Sequence, residues 1–289
     1  MKKSYFVFPV LVLAMLGGGL FWLVGGALIK PTQRMIGASP IDLGGDNISI
    51  IGASGYTIHG WKIKGDDGHG VVLLLHGVRS DRRSMIGRAR FLHRLGYNVL
   101  MIDMQAHGET LGPFITFGAL ESQDVMMAVE YIKQVMPQES VAVIGVSLGG
   151  AAFVLADVGN KVQAVVLESM YPTIDEALED RLTHYLGTVV GQWLAPLLLW
   201  QFEWRTAITP QSLRPIDHIA GLNAPLLLLH GTADYNTTVA EAQRLFARAH
   251  EPKAIWLVPQ AAHVDLHAFA PQEYERRVSD FLERNLKKL

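Results

Sequence analysis

At 289 residues, with a formal net charge of −2 and Lys and Arg scattered along the chain, the sequence offers no basic footprint for nucleic acid. Cysteine is absent, which excludes a disulfide framework, a thiol nucleophile and any cysteine-based zinc site. The sequence also lacks a His-Glu-x-x-His metal pattern, a phosphate loop ending in Gly-Lys-Ser/Thr and a dinucleotide glycine fingerprint, so neither metal nor organic cofactor is expected.

The stretch Tyr5 to Ile29 contains no charged residue, and as a helix rising 1.5 Å per residue it would exceed the roughly 30 Å hydrocarbon thickness of a bilayer. Residues 1–30 are therefore expected to form a single-pass membrane anchor. A cleavable signal peptide is the competing reading, but its apolar region usually spans only about 7–15 residues, and no convincing Ala-x-Ala site follows this one. Lys2, Lys3 and the terminal amine precede the span and Lys30 and Arg34 follow it. That balance tips slightly toward a cytoplasmic N-terminus, with the rest of the chain on the non-cytoplasmic side. Residues 31–45, with Pro31, Pro40 and Gly44-Gly45, read as a linker.

Residues 46–289 suit one α/β domain, large enough to bury a central sheet on both faces. Asn47–Ile51 and Tyr56–Ile63, joined through Ala-Ser-Gly, predict an antiparallel hairpin at the sheet edge. Strand and helix patterns then alternate: Val71–Leu75, a helix over Ser84–Leu95, Asn98–Ile102, a helix over Glu121–Val135, a strand from Val141, a helix from Ala151, and Ala164–Leu167. This rhythm implies a mostly parallel sheet with helices on both faces. Between Ser169 and Pro215 the rhythm stops, and the segment is rich in apolar and aromatic residues, including Trp193, Trp200, Phe202 and Trp204.

Within this frame the run Val141–Gly150 breaks into Gly145-x-Ser147-x-Gly149 and then into a helix-forming stretch. A strand that turns this tightly into a helix lifts one hydroxyl clear of the sheet edge, and flanking glycines leave room for the neighbouring backbone. The helix N-terminus beneath the serine favours developing negative charge. Downstream, Leu226–Leu229 end in His230-Gly231-Thr232-Ala233-Asp234, a buried strand delivering an aspartate to the loop at its carboxyl end. A further short strand, Ala254–Val258, leads into the loop that carries His263. Glu168 also ends a strand and competes with Asp234 for the role of acid. Upstream, Val71–Leu75 runs into His76-Gly77, after which the Val78 amide can pair with that of Leu148 as an oxyanion hole. His76 lies before that turn and reads as a structural hydrogen-bonding residue rather than a base.

On these residues, together with Gly96-Tyr97-Asn98-Val99-Leu100, Asp103 and His107-Gly108-Glu109-Thr110, the chain resembles the α/β-hydrolase superfamily over residues 46–289, in its membrane-associated serine hydrolase and serine-aminopeptidase-like branch. The order Ser, Asp, His along the chain is the one expected of that sheet. The resemblance implies Ser147 as nucleophile, Asp234 as acid and His263 as base, with residues of about 170–214 forming a cap over them. Ala106 and Ala262 depart from the pattern, standing where relatives usually have glycine.

A serine hydroxyl is a poor nucleophile near neutral pH, so a histidine must take its proton and return it to the leaving group while the acid fixes the ring. The expected activity is that of a membrane-anchored serine hydrolase acting on an ester or thioester of a small-molecule or lipid-like substrate with an apolar acyl group. Trp193, Trp200, Phe202 and Trp204 are candidate acyl contacts, with ordinary cap packing as their competing role. A serine aminopeptidase or amidase uses the same groups and stays open, as does a catalytically silent binding protein on the same fold.

Overall fold

Runs of leucine and β-branched residues form β1 (Asp46–Ile51), β2 (Thr57–Ile63), β3 (Val71–Leu75), β4 (Asn98–Ile102), β5 (Val141–Val146), β6 (Ala164–Glu168), β7 (Leu226–Gly231) and β8 (Lys253–Val258). The computed structural model describes the backbone of residues 4–286 and the side chains of residue 15 and residues 17–286. The strands join in one sheet, in the order β8-β7-β6-β5-β3-β4-β2-β1. All pairs from β8 to β4 are parallel, whereas β2 runs antiparallel to both β4 and β1. The expected hairpin is thus the sheet edge. Along β1 only Ile48 and Ile50 are buried, the alternation of a strand covered on one face, while every residue of β3 is buried.

The helices of eight residues or more are α1 (Ser4–Leu28), α2 (Ile86–Arg94), α3 (Glu121–Val135), α4 (Leu148–Leu155), α5 (Ile174–Leu186), α6 (Thr188–Thr206), α7 (Val239–Arg248) and α8 (Pro271–Asn285). Leu73 and Leu75 of β3 pack in one core with Val129 of α3, Phe153 of α4 and Leu245 of α7. Val72 and Leu74 face the opposite core with Leu92 of α2 and Val278 of α8. Period-2 alternation along the strands therefore feeds two hydrophobic layers, as a doubly covered parallel sheet requires. The α5–α6 pair, hinged at Gly187 (φ 84°), occupies the interval between β6 and β7 where the alternation of the sequence lapses.

The expected membrane span has the side chains of residues 5–14 and 16 outside the described residues. Its backbone is helical throughout α1, and among the described residues no helix is long and apolar enough to cross a membrane. The segment read as a linker is docked. Thr32 and Gln33 pair in parallel register with His107 and Gly108, and the amides of Ile36 and Gly37 each donate to Glu109 Oε1 at 3.0 Å. Glu109 is in turn ion-paired with Arg82 at 2.5 Å, and Arg82 also pairs with buried Asp103.

His76 follows the last residue of β3 and is fully buried. Its Nδ1 lies 2.8 Å from the Gly77 carbonyl oxygen and its Nε2 3.1 Å from the Met104 amide nitrogen. A carbonyl only accepts and an amide N–H only donates, so the ring must be neutral with its proton on Nδ1. Burial, reinforced by the neighbouring His107, pushes its pKa down to about 3. The ring ties the end of β3 to the chain leaving β4, below the turn that carries Val78. In ¹⁵N-edited NMR the His76 ring should keep the shifts of one neutral tautomer from about pH 8 to pH 5, while solvent-exposed histidines change across that range. Protonation of His76 within it would overturn this assignment.

Candidate active site

Ser147 stands between β5 and α4 with φ 49° and ψ −110°, a strained backbone for a residue with a Cβ. The neighbouring glycines make the turn possible. A Cβ on Gly149 would lie 2.4 Å from the Leu75 carbonyl oxygen, and one on Gly145 would lie 2.7 Å from the Gly150 nitrogen. The Ser147 amide is held by the Glu168 carbonyl at 2.8 Å. Leu148 opens α4, and neither its amide nor that of Val78 has a backbone acceptor among the described residues. Both residues line the same cavity as Ser147, as an oxyanion hole requires.

At the end of β7 a second close approach matters. A Cβ on Gly231 would lie 2.3 Å from the Ala261 carbonyl oxygen, so only glycine lets the loops after β7 and β8 meet. Their meeting puts Asp234 Oδ2 2.7 Å from His263 Nδ1. The other contacts of Asp234 are also donors: the amides of Asn236 and Thr237 reach Oδ1 and the Thr237 hydroxyl reaches Oδ2, each at 3.0 Å. Burial pushes the Asp234 carboxyl up, but His263 and the Thr237 amide outweigh it and hold the group below the ordinary carboxylate range. The carboxylate is thus ionised and fixes the proton of the imidazole on Nδ1, leaving Nε2 to face the cavity that Ser147 also lines. Ser147 Oγ makes no hydrogen bond to His263 among the described residues; such contacts commonly tighten only when substrate binds.

Glu168, the competing acid, is engaged elsewhere. Its Oε1 accepts from Arg88 Nε at 2.9 Å and from the Tyr274 hydroxyl at 2.6 Å, and its Oε2 accepts from Arg88 Nη2 at 2.6 Å. Arg88 also reaches Asp265, two residues past His263, at 2.8 Å. The network therefore braces the histidine loop from behind and supplies no second partner for the ring.

The cavity above Ser147 is closed by the cap and, unexpectedly, by the end of α1. Ile174, Ala177, Leu178 and Arg181 of α5 line it, as do Leu198, Leu199 and Phe202 of α6. Gly25, Leu28 and Ile29 complete the wall. Arg205 donates to the Trp22 carbonyl at 2.7 Å and Gln201 to that of Phe21 at 3.2 Å, fastening α1 to α6. Arg79, next to Val78, donates to the carbonyls of Ala27 and Leu28, capping the helix C-terminus.

Of the expected cap contacts, Phe202 lines the cavity. Trp193, Trp200 and Trp204 do not, and stand 76%, 64% and 67% exposed. Helical spacing explains the division, since 198, 199 and 202 share one face while 193, 200 and 204 share another. The sequence reading did not single out Arg79, Arg181, Thr237 or the end of α1. Only Thr237 has a local signal, an Asp followed at short spacing by residues whose amides it can accept from. Ala106, one of the two departures, adopts φ 61°, the left-handed conformation for which glycine is the usual residue. Among the described residues no cluster of His, Asp and Glu could hold a metal ion.

Comparison with known proteins agrees with this architecture. The model of the alpha/beta hydrolase family matches residues 72–277. The chain is 23% identical over 239 residues to the protein YqkD of Bacillus subtilis, covering 81% of this chain and 78% of YqkD. It is 24% identical over 266 residues to YfhR of Escherichia coli K12, covering 87% and 84%. Among solved structures it is similar to the esterase Pf2001 of Pyrococcus furiosus, with a TM-score of 0.74 at 26% identity, covering 90% of this chain and 98% of that one. The sheet order, the serine on its strand-to-helix turn and a family match across most of the domain lead to one conclusion: the chain belongs to the alpha/beta hydrolase family and is a hydrolase.

Proposed function

We propose that the protein is a membrane-anchored serine hydrolase that cleaves an ester or thioester with an apolar acyl group. The observation that carries this reading is the Asp234–His263 pair at 2.7 Å, sharing a largely apolar cavity with Ser147. The similarity to an esterase supports ester chemistry. In this reading His263 Nε2 takes the proton of Ser147 as Oγ attacks the acyl carbon, and the amides of Val78 and Leu148 receive the oxyanion. The bond from the acyl carbon to oxygen or sulfur then breaks, and the leaving group departs with the proton from His263. Water, deprotonated by the same ring, adds to the acyl-enzyme. Collapse of that second adduct releases the carboxylic acid and restores the Ser147 hydroxyl.

Ser147→Ala should lower kcat by at least about 10⁴-fold and abolish fluorophosphonate labelling while leaving the circular dichroism spectrum unchanged. Asp234→Asn should cost about 10⁴-fold in kcat. Glu168→Gln should lower the melting temperature, because it weakens a buried partner of Arg88, yet keep kcat per folded molecule within about tenfold. Equal losses of kcat in the last two variants would move the acid away from Asp234.

The apolar wall sets an acyl-length dependence. Each methylene buried against it contributes about 0.8 kcal/mol, roughly a fourfold gain in kcat/KM per carbon until the wall is covered. Efficiency should rise from acetyl to hexanoyl p-nitrophenyl esters, and Phe202→Ala should flatten the rise. Replacing exposed Trp200 and Trp204 together by Ser should leave the slope unchanged. An acetyl ester turned over best by the parent protein would refute the acyl assignment.

Anchoring is supported by the uncharged run Tyr5–Ile29. The orientation proposed puts the hydrolase domain on the non-cytoplasmic side. The full chain should stay with membranes through a high-salt wash and leave only with detergent, because the attachment is hydrophobic rather than ionic. Recovery in the salt wash would overturn it.

A further inference from the structure

The cavity above Ser147 is apolar along most of its wall, yet its two permanently charged lining residues are both arginines, Arg79 and Arg181. Among the described residues no Asp or Glu lines it. Arg79 is committed to the carbonyls at the end of α1. Arg181 is half-buried and, among the described residues, has neither an ion-pair partner nor a hydrogen-bond acceptor. Of the four acids on its own helix, Glu176 is paired with Arg244 at 2.6 Å and Asp180 lies against Glu241, while Asp175 and Glu179 make no ion pair with it.

Helix periodicity places this charge relative to the reacting atoms. Residues 174, 177, 178 and 181 fall at i, i+3, i+4 and i+7 of α5, so Arg181 ends the apolar stripe that faces the nucleophile. Ile174, at the other end, clusters with Ile29, Leu199 and Phe202, and Arg181 lies about 10 Å further along the helix axis. One turn beyond Arg181, His184 stacks on Tyr235 with ring centroids 5.4 Å apart, which seats this end of α5 beside the segment following Asp234. Asn236, on that segment, lines the cavity too, and its buried Oδ1 has no partner. An unpaired guanidinium at one end of an apolar cavity is a ready partner for an anion, whereas the free Asn236 Oδ1 can accept only from a donor such as a hydroxyl.

His263, held by Asp234, lines the same cavity. We infer that the Arg181 end of the cavity is a leaving-group subsite, and that the substrate is an ester whose alcohol carries an anionic group, phosphate or carboxylate, gripped by Arg181. The acyl chain runs the opposite way, toward Ile29, Leu199 and Phe202. The inference rests on the ester-hydrolase reading above and adds the class of alcohol.

Two arms test it, both with the full chain in a non-ionic detergent. In the first, calorimetry compares hexyl phosphate with hexanol on Ser147→Ala. Hexyl phosphate should bind about tenfold tighter or better, with an advantage that shrinks as salt is raised. Adding Arg181→Gln should erase the advantage and Arg181→Lys should keep part of it. In the second arm the hexanoyl esters of glycerol, glycerol phosphate and lactate are compared on the otherwise native chain. Both anionic esters should exceed the neutral one in kcat/KM, and Arg181→Gln should remove that preference, lowering kcat/KM for the anionic esters at least about fivefold more than for the neutral one. A preference for only one of them would tell phosphate from carboxylate. Equal binding of hexyl phosphate and hexanol, or an Arg181→Gln loss shared equally by all three esters, would overturn the inference. Turnover of the neutral ester without anion preference would sink the subsite and leave the hydrolase reading standing. Hexyl phosphate binding through Arg181 with no Ser147-dependent turnover of any ester would sink the hydrolase reading, and the leaving-group role with it, leaving only an anion site.

Discussion

The Leu75 carbonyl oxygen lies 2.4 Å from where a Cβ on residue 149 would stand. The end of β3, the turn after β5 and the first turn of α4 can converge only because that residue is glycine. Their convergence does three things at once. It forces Ser147 into positive φ, it brings the amide that opens α4 under the serine oxygen, and it sets the turn after β3, with Val78, beside both. A methyl group at this point would drive the Leu75 carbonyl away and part Ser147 from the amides of Leu148 and Val78.

A similar exclusion operates behind His263. The contact of Gly231 with Ala261 lets two loops from adjacent parallel strands cross, and the buried group formed by Arg88, Glu168, Tyr274 and Asp265 stiffens the second of them. Buried ion pairs add little net stability, because desolvation offsets most of their attraction, but loss of one member leaves an uncompensated charge. The value of this one is geometric. It braces the loop that carries His263 two residues before Asp265.

Much of this was legible in the sequence. Strand and helix periods located the parallel sheet and its antiparallel edge, and the elbow, Asp234 and His263 each followed a strand that could be read directly. Asp234 was favoured over Glu168 by its Gly-Thr-Ala-Asp context, but what engages Glu168 elsewhere is Arg88, 80 residues distant in the chain, which no local pattern discloses. The tryptophans misdirected attention because bulk says nothing about which side of α6 a residue occupies. Arg181 was invisible for a related reason: a charged residue on an amphipathic helix reads as solvated until the cap is seen folded over the cavity. The contribution of Gly25, Leu28 and Ile29 was equally hidden, because an uncharged run signals a bilayer and carries no sign that its last turn packs on a catalytic domain.

The docking of residues 32–37 against His107, Gly108 and Glu109 bears on how the protein searches for substrate. A free tether of the length between anchor and domain would let the cavity wander over a radius of roughly 20 Å and tumble through every orientation. A docked one leaves it no such freedom. On the proposed anchoring, the cavity keeps a constant height and heading relative to the lipid surface, so encounter becomes a problem of lateral diffusion in two dimensions. Turnover would then follow the mole fraction of substrate in the membrane rather than its bulk concentration.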